Sequence, residues 1–301
     1  MISGLNPSTQ QFLNDLNQIS DSMQQAQNQV TTGLKVSQVS DQPDVISTLL
    51  ATRASLSTSQ QISSNLGQIG TEVDSGEQAL QSAVTLFDQV QTLGASGVTS
   101  TSTADTNATL AQQAGSVLQE MVGLADTNEG GRYIFAGDSD QQAPYTVDLT
   151  QTPPVSAYQG SAATRVAQHP DGSTFAVSLT AQTIFDSSDP TTNVFSAITN
   201  LQTALANNDT AAIQTANAGL SKIGDYLNQQ LAFYGNVQDK ITQATSYAST
   251  QQTQLQTQIA NLQDADLTSS ILTLNQDQTQ EQAALQSEAR IPRTTLFDFL
   301  A

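Results

Sequence analysis

Leu220, Leu227, Tyr234, Ile241, Ala248, Leu255 and Leu262 recur every seven residues without a break. A second register, Leu5, Phe12, Leu16, Ile19, Met23, Ala26 and Val30, begins almost at Met1, with a first step of seven and later steps alternating four and three. A period of 3.5 places such side chains on one stripe of a helix, and a stripe of that kind needs another helix against it. Both ends of the chain are therefore built to pack helix on helix.

The 301 residues leave room for two or three domains. Eight Lys and Arg against 27 Asp and Glu give a net charge of −19, which argues against a nucleic-acid partner and against an anionic membrane surface. With no Cys there are no disulfides, thiolate nucleophiles or thiolate metal sites. No stretch approaches the length of a membrane span, and no basic n-region precedes an apolar run, so no ordinary signal peptide is expected.

Along the chain, residues 5–34 read as one amphipathic helix, with Pro7 in its first turn and Gly33 near its end. Asp41 is a candidate N-cap for a second helix over about 42–93, whose stripe is Leu49, Leu56, Ile62, Leu66, Ile69, Val73, Leu80, Val84, Phe87 and Val90. Such a helix would span roughly 75 Å, rod-like by comparison with an average globular helix. Residues 94–106 read as a loop, and Asp105 as the cap of a third helix to about Asn128, ended by Gly130-Gly131. The pattern then changes. Residues 133–189 hold half of the eight prolines, with Pro190 at the edge, and two alternating pieces, 145–149 and 175–179, and Pro170-Asp171-Gly172-Ser173 reads as a turn between strands. Helix resumes at Val194 with Asn193 as cap, turns at Asn207-Asn208-Asp209, and continues without proline from about 210 to 288. After Leu262 the apolar set restarts at Leu267, Ile271, Leu274 and Leu285, a phase break placed at Asp264-Ala265-Asp266.

The fold class is thus mainly α: a long antiparallel helical rod or coiled coil formed by the N- and C-terminal segments, with a small β-rich insert. The expected domains are 1–40 with 263–301, 41–132 with 190–262, and 133–189.

Candidate chemistry is sparse. His169 is the single histidine and reads as a surface turn residue; serine hydrolysis would have to use it, and no Gly-x-Ser-x-Gly accompanies it. Asp138-Ser139-Asp140 and Asp264-Ala265-Asp266 pair carboxylates without the further oxygens of a calcium loop. Tyr145, Tyr158, Phe175 and Phe185 read as the core of the insert. No catalytic, cofactor-binding or metal-binding residues are assigned.

Several motifs carry a resemblance. Thr31-Thr32-Gly33-Leu34-Lys35-Val36 followed by Ser40-Asp41-Gln42-Pro43 resembles the flagellin-family signature, with Gln42 where a second Asp usually stands. Gly131-Arg132-Tyr133-Ile134-Phe135-Ala136-Gly137 and then Tyr158-Gln159-Gly160 resemble the opening of the middle domain in the hook-associated protein 3 branch of that family. Tyr234 to Ile241, Asp264-Ala265-Asp266-Leu267 and the ending Arg293 to Leu300 are similar to further family blocks, with Asp239 in an Asn place. The resemblance spans the whole chain, while 138–190 matches poorly.

What it implies is a non-enzymatic structural adaptor at the hook-filament junction of the bacterial flagellum. Its implied partners are hook-associated protein 1 on the hook side, flagellin on the filament side, copies of itself in a ring, and an export chaperone. No cofactor is implied. Export would be by the flagellar type III route, without a cleaved signal. Leu5, Phe12, Leu16, Ile19, Met23, Val30, Ile271, Leu274, Leu285, Leu296, Phe297 and Leu300 are the expected assembly contacts, because thin stripes offset their ordering entropy only when neighbours bury them. Filament flagellin is the alternative within the family; a secreted enzyme or adhesin, or a type III secretion tip protein, stands further off.

Overall fold

The computed structural model describes residues 7–38, 41–99 and 102–290. Seven helices dominate them: α1 (Pro7–Thr32), α2 (Pro43–Gly97), α3 (Ala104–Ala125), α4 (Ala181–Phe185), α5 (Val194–Ala206), α6 (Thr210–Gln263) and α7 (Leu267–Arg290). Four short strands complete the described elements: β1 (Asn128–Glu129), β2 (Arg132–Tyr133), β3 (Val166–Gln168) and β4 (Thr174–Ala176). They form two antiparallel two-stranded sheets, β1-β2 and β3-β4. The fold is mainly α.

Contacts group the chain into two compact units. One comprises the described residues up to Thr58 with those from Gln251 onward, and the other is Ser59–Thr250. Both divisions fall inside helices, α2 and α6.

The unit Ser59–Thr250 owns the continuous core. The seven-residue register of α6 supplies buried Leu220, Leu227, Tyr234 and Ile241, and α2 supplies Leu66, Val73, Leu80, Phe87 and Val90. α3 packs on α5. Gly76 lets Tyr234 approach α2, since a Cβ there would lie 2.6 Å from Tyr234 Cε1. The Tyr234 hydroxyl in turn accepts the backbone N–H of Leu179 at 3.2 Å.

Several local expectations are corrected. α2 runs on to Gly97, so the loop is shorter than 94–106. Thr103, not Asp105, caps α3: its hydroxyl accepts the N–H of Thr106 at 3.2 Å. Asp41 does not cap α2. Its carboxylate accepts the N–H groups of Gln38 (2.7 Å) and Ser37 (2.9 Å) and so closes the turn before the helix. Gly130-Gly131 is not the stop of α3, which ends at Ala125. The pair turns the β1-β2 hairpin, with φ +59 and +84. A two-residue turn with both φ positive matches the twist of its strands, and glycine adopts it without steric cost.

The insert carries less sheet than alternation predicts. Residues 145–149 contribute one bridge, Val147 to Val155, because Pro153-Pro154 has no N–H with which to extend the ladder. The turn at 170–173 lies between β3 and β4 as its sequence predicts, with the N–H of Gly172 donating to His169 O at 2.9 Å.

Candidate assembly surface

In the unit holding the chain's ends, α1 packs against α7. Their pairing is anchored at one end by backbone hydrogen bonds. Lys35 N donates to Gln263 O (2.7 Å) and Ala265 N to Gly33 O (2.9 Å), and Leu34 bridges Asp264. Lys35 Nζ adds a bond to Asn261 O at 2.7 Å, and Arg53 one to Gln263 Oε1 at 2.7 Å. The phase break at 264–266 is the joint between α6 and α7, where Asp266 accepts the N–H groups of Thr268 and Ser269 and caps α7. Hydrogen bonds from the Gln38 and Ser37 backbones hold the Asp41 carboxyl below its usual range.

This unit buries little. Ala26, Val36 and Leu49 are its buried hydrophobic side chains among the described residues, and the continuous core lies wholly in the other unit. Phe12, Leu16, Ile19, Met23 and Val30 are half-buried along α1. α7 is organised differently. Its protected row is Ser270, Leu274, Asp277, Glu281, Ala284 and Glu288, spaced four and three alternately. Ser270 Oγ donates to Gln29 Oε1 at 2.8 Å, which identifies this mostly polar row as the one facing α1. Leu267, Ile271 and Leu285 lie a fraction of a turn away and are 46%, 47% and 50% exposed. Of the expected contacts on α7, only Leu274 is shared with the intrachain seam. Leu5, Leu296, Phe297 and Leu300 lie outside the described residues.

A second constellation holds the insert against the helices. Phe135 makes edge contacts with Phe185 (6.3 Å) and Tyr234 (6.0 Å), while Tyr145 and Phe185 meet Phe195 at 5.1 and 5.7 Å. The central motif 131–137 and the motif 158–160 lock together. Tyr158 Oη lies 3.0 Å from Phe135 O and 3.1 Å from Ser161 O, and Ser161 N donates to Ala136 O at 2.9 Å. Gly137 has φ +65, and a Cβ there would stand 2.3 Å from Ser161 O, so both the conformation and the space require glycine. Arg165 pairs with Glu72 of α2, and Arg132, which pairs with Asp140 at 2.5 Å, also lies 3.9 Å from Glu72, so both hairpins are fastened to α2 through one carboxylate.

No protein-family model matches the chain, and no curated protein matches it in sequence. Solved structures do match. A flagellar hook-associated protein from Vibrio parahaemolyticus aligns over 74% of this chain and 100% of its own, with TM-score 0.65 and 17% identity. FlgL of Bacillus cereus aligns over 70% and 99%, with TM-score 0.57 and 20% identity. Flagellar hook-associated protein 3 of Legionella pneumophila aligns over 70% and 98%, with TM-score 0.62 and 11% identity. The chain shares their fold.

On that fold the candidate chemistry stays scattered. His169 Nδ1 lies 2.9 Å from Asp171 Oδ1 and its ring packs on Tyr247 at 5.2 Å, so it is less free than a surface turn histidine. Hydrogen bonds from Ser173 hold the Asp171 carboxyl low. Two open grooves flank α5, of about 510 and 580 Å³, and each contains one carboxylate, Asp209 and Asp186 respectively, with no histidine or cation. Among the described residues no cluster of His, Asp or Glu could hold a metal, and no helix is long and apolar enough to cross a membrane.

Proposed function

We propose that the chain is a non-enzymatic structural subunit of the bacterial flagellum, an adaptor at the hook-filament junction that assembles by helix packing with copies of itself. The observation that carries this reading is the outward stripe Leu267, Ile271 and Leu285 in a unit with almost no core, on a fold shared with hook-associated proteins. Half-exposed aliphatic residues at helical spacing are best accounted for by another helix laid against them.

In this reading residues 1–40 with 263–301 form the assembly domain, 41–132 with 190–262 the helical rod, and 133–189 the insert. Phe12, Leu16, Ile19, Met23, Val30, Ile271, Leu274 and Leu285 carry contacts in the assembled state, with Leu5, Leu296, Phe297 and Leu300 beside them. Hook-associated protein 1 and flagellin are the neighbours on the two sides, and the chain reaches its place outside the cell through flagellar type III export with a chaperone.

Labelling isolated flagella with antibody against the purified chain tests the reading. It predicts signal confined to the boundary between hook and filament. Signal along the filament would make the chain a flagellin, and none on the flagellum would end the proposal.

A further inference from the structure

We propose that Asp277 is a destabilising element built into the α1–α7 pairing, one that keeps the two helices separable in the free chain. Asp277 stands in the row facing α1, is 7% exposed, and its Oδ2 is buried without a hydrogen-bond partner. One heptad earlier in that row, Ser270 satisfies its polar atom through Gln29. At Asp277 the described residues of the seam offer no such donor.

The surroundings make this costly. The antiparallel register set by Ser270 with Gln29 and by Ala265 with Gly33 puts Asp277 level with half-buried Ser22, while Asp21 beside it is exposed on the far side of α1 from Met23 and Ala26, so no cation meets Asp277 there. α1 carries Asp15 and Asp21 and no Lys or Arg. α7 adds Glu281 and Glu288, and the one base in its sequence is its last residue, Arg290. The neighbouring Lys35 and Arg53 are committed to Asn261 and Gln263 at the joint.

A carboxylate oxygen withdrawn from water with neither donor nor cation penalises the closed arrangement, whereas an aliphatic side chain in the same seam would favour it. A polar residue at a seam position trades stability for control over pairing. The use of that trade rests on the proposed assembly: a seam that opens readily in the free chain can be re-formed when a second copy supplies the missing apolar surface.

Amide hydrogen exchange of the full-length free chain provides the test, with the α3 amides as internal reference. Asp277→Leu should slow exchange in α1 and α7 by roughly tenfold or more relative to the parent. Asp277→Asn should slow it by a smaller factor, and Glu281→Gln, at the half-buried position next in the row, should change it less than either. Unchanged or faster exchange in α1 and α7 of Asp277→Leu overturns the inference. Should that variant not fold, Asp277→Asn decides by the same criterion. This readout is independent of where the protein sits on a flagellum, so the inference and the assembly reading fail separately.

Discussion

At the residue scale, the long helices owe their close approach to single glycines. Gly76 lies under the ring of buried Tyr234, so Gly76→Ala should cost roughly 1–3 kcal/mol by overpacking. Gly67 is in the same helix with nothing within 4 Å of its would-be Cβ, and Gly67→Ala should gain about 0.5–1 kcal/mol from helix propensity. Denaturant titration of the two variants checks the contrast, and equal effects would contradict the packing described. Asp126 supplies a pH signature. Burial raises its carboxyl from 3.8 to about 6, although it accepts the Tyr145 N–H at 3.0 Å. The folded state therefore binds the proton more tightly than the unfolded chain, so ionisation costs stability above about pH 6 and that cost is gone below about pH 4. Asp126→Asn keeps an oxygen for the Tyr145 N–H. It should raise Tm by roughly 2–4 °C near neutrality and lose that advantage as the pH falls towards 4. Thermal melts across that range would contradict this if the gap were constant.

Elements differ in how far the sequence exposes them. The seven-residue register of α6 maps directly onto burial because its first five members are buried, the first four of them in the core of one compact unit. The joint at 264–266 is legible because the apolar phase shifts there and Asp266 stands where it can cap the helix that follows. Orientation on α7 is not legible. Ile271, Leu274 and Leu285 share a stripe in the sequence, yet the row turned to α1 keeps only Leu274 of these and is otherwise Ser270, Asp277, Glu281, Ala284 and Glu288, a mostly polar set that no hydrophobic pattern would select. Cap and turn chemistry is decided by single hydrogen bonds, which is why Thr103 displaces Asp105 and why Gly130-Gly131 turns a hairpin. The lock between 131–137 and 158–160 depends on contacts across more than twenty residues, so sequence shows its two halves without showing that they meet. Tyr158→Phe should cost about 1–2 kcal/mol by removing the one hydroxyl proton that Phe135 O and Ser161 O share. Gly137→Ala should cost more, since it meets backbone rather than a movable side chain. Unfolding curves of the two variants check that order.

For the whole molecule, stabilising resources are unequally divided. The unit Ser59–Thr250 holds the aromatic and aliphatic core, whereas the unit with the chain's ends holds half-exposed aliphatic side chains and a carboxylate in its seam. Globular chains seldom leave such stripes open without a use, and in the proposed assembly other copies of the chain would cover them. The absence of cysteine makes this directly measurable. A single Ile271→Cys variant, incorporated into flagella, can be treated with a maleimide and compared with the free chain. The account predicts rapid labelling of the free chain and strong suppression in the assembled state. A Val166→Cys variant, at a position 60% exposed in the other unit, provides the reference for reagent access. Equal labelling of the Ile271→Cys variant free and assembled would contradict the claim that neighbouring copies cover the α7 stripe.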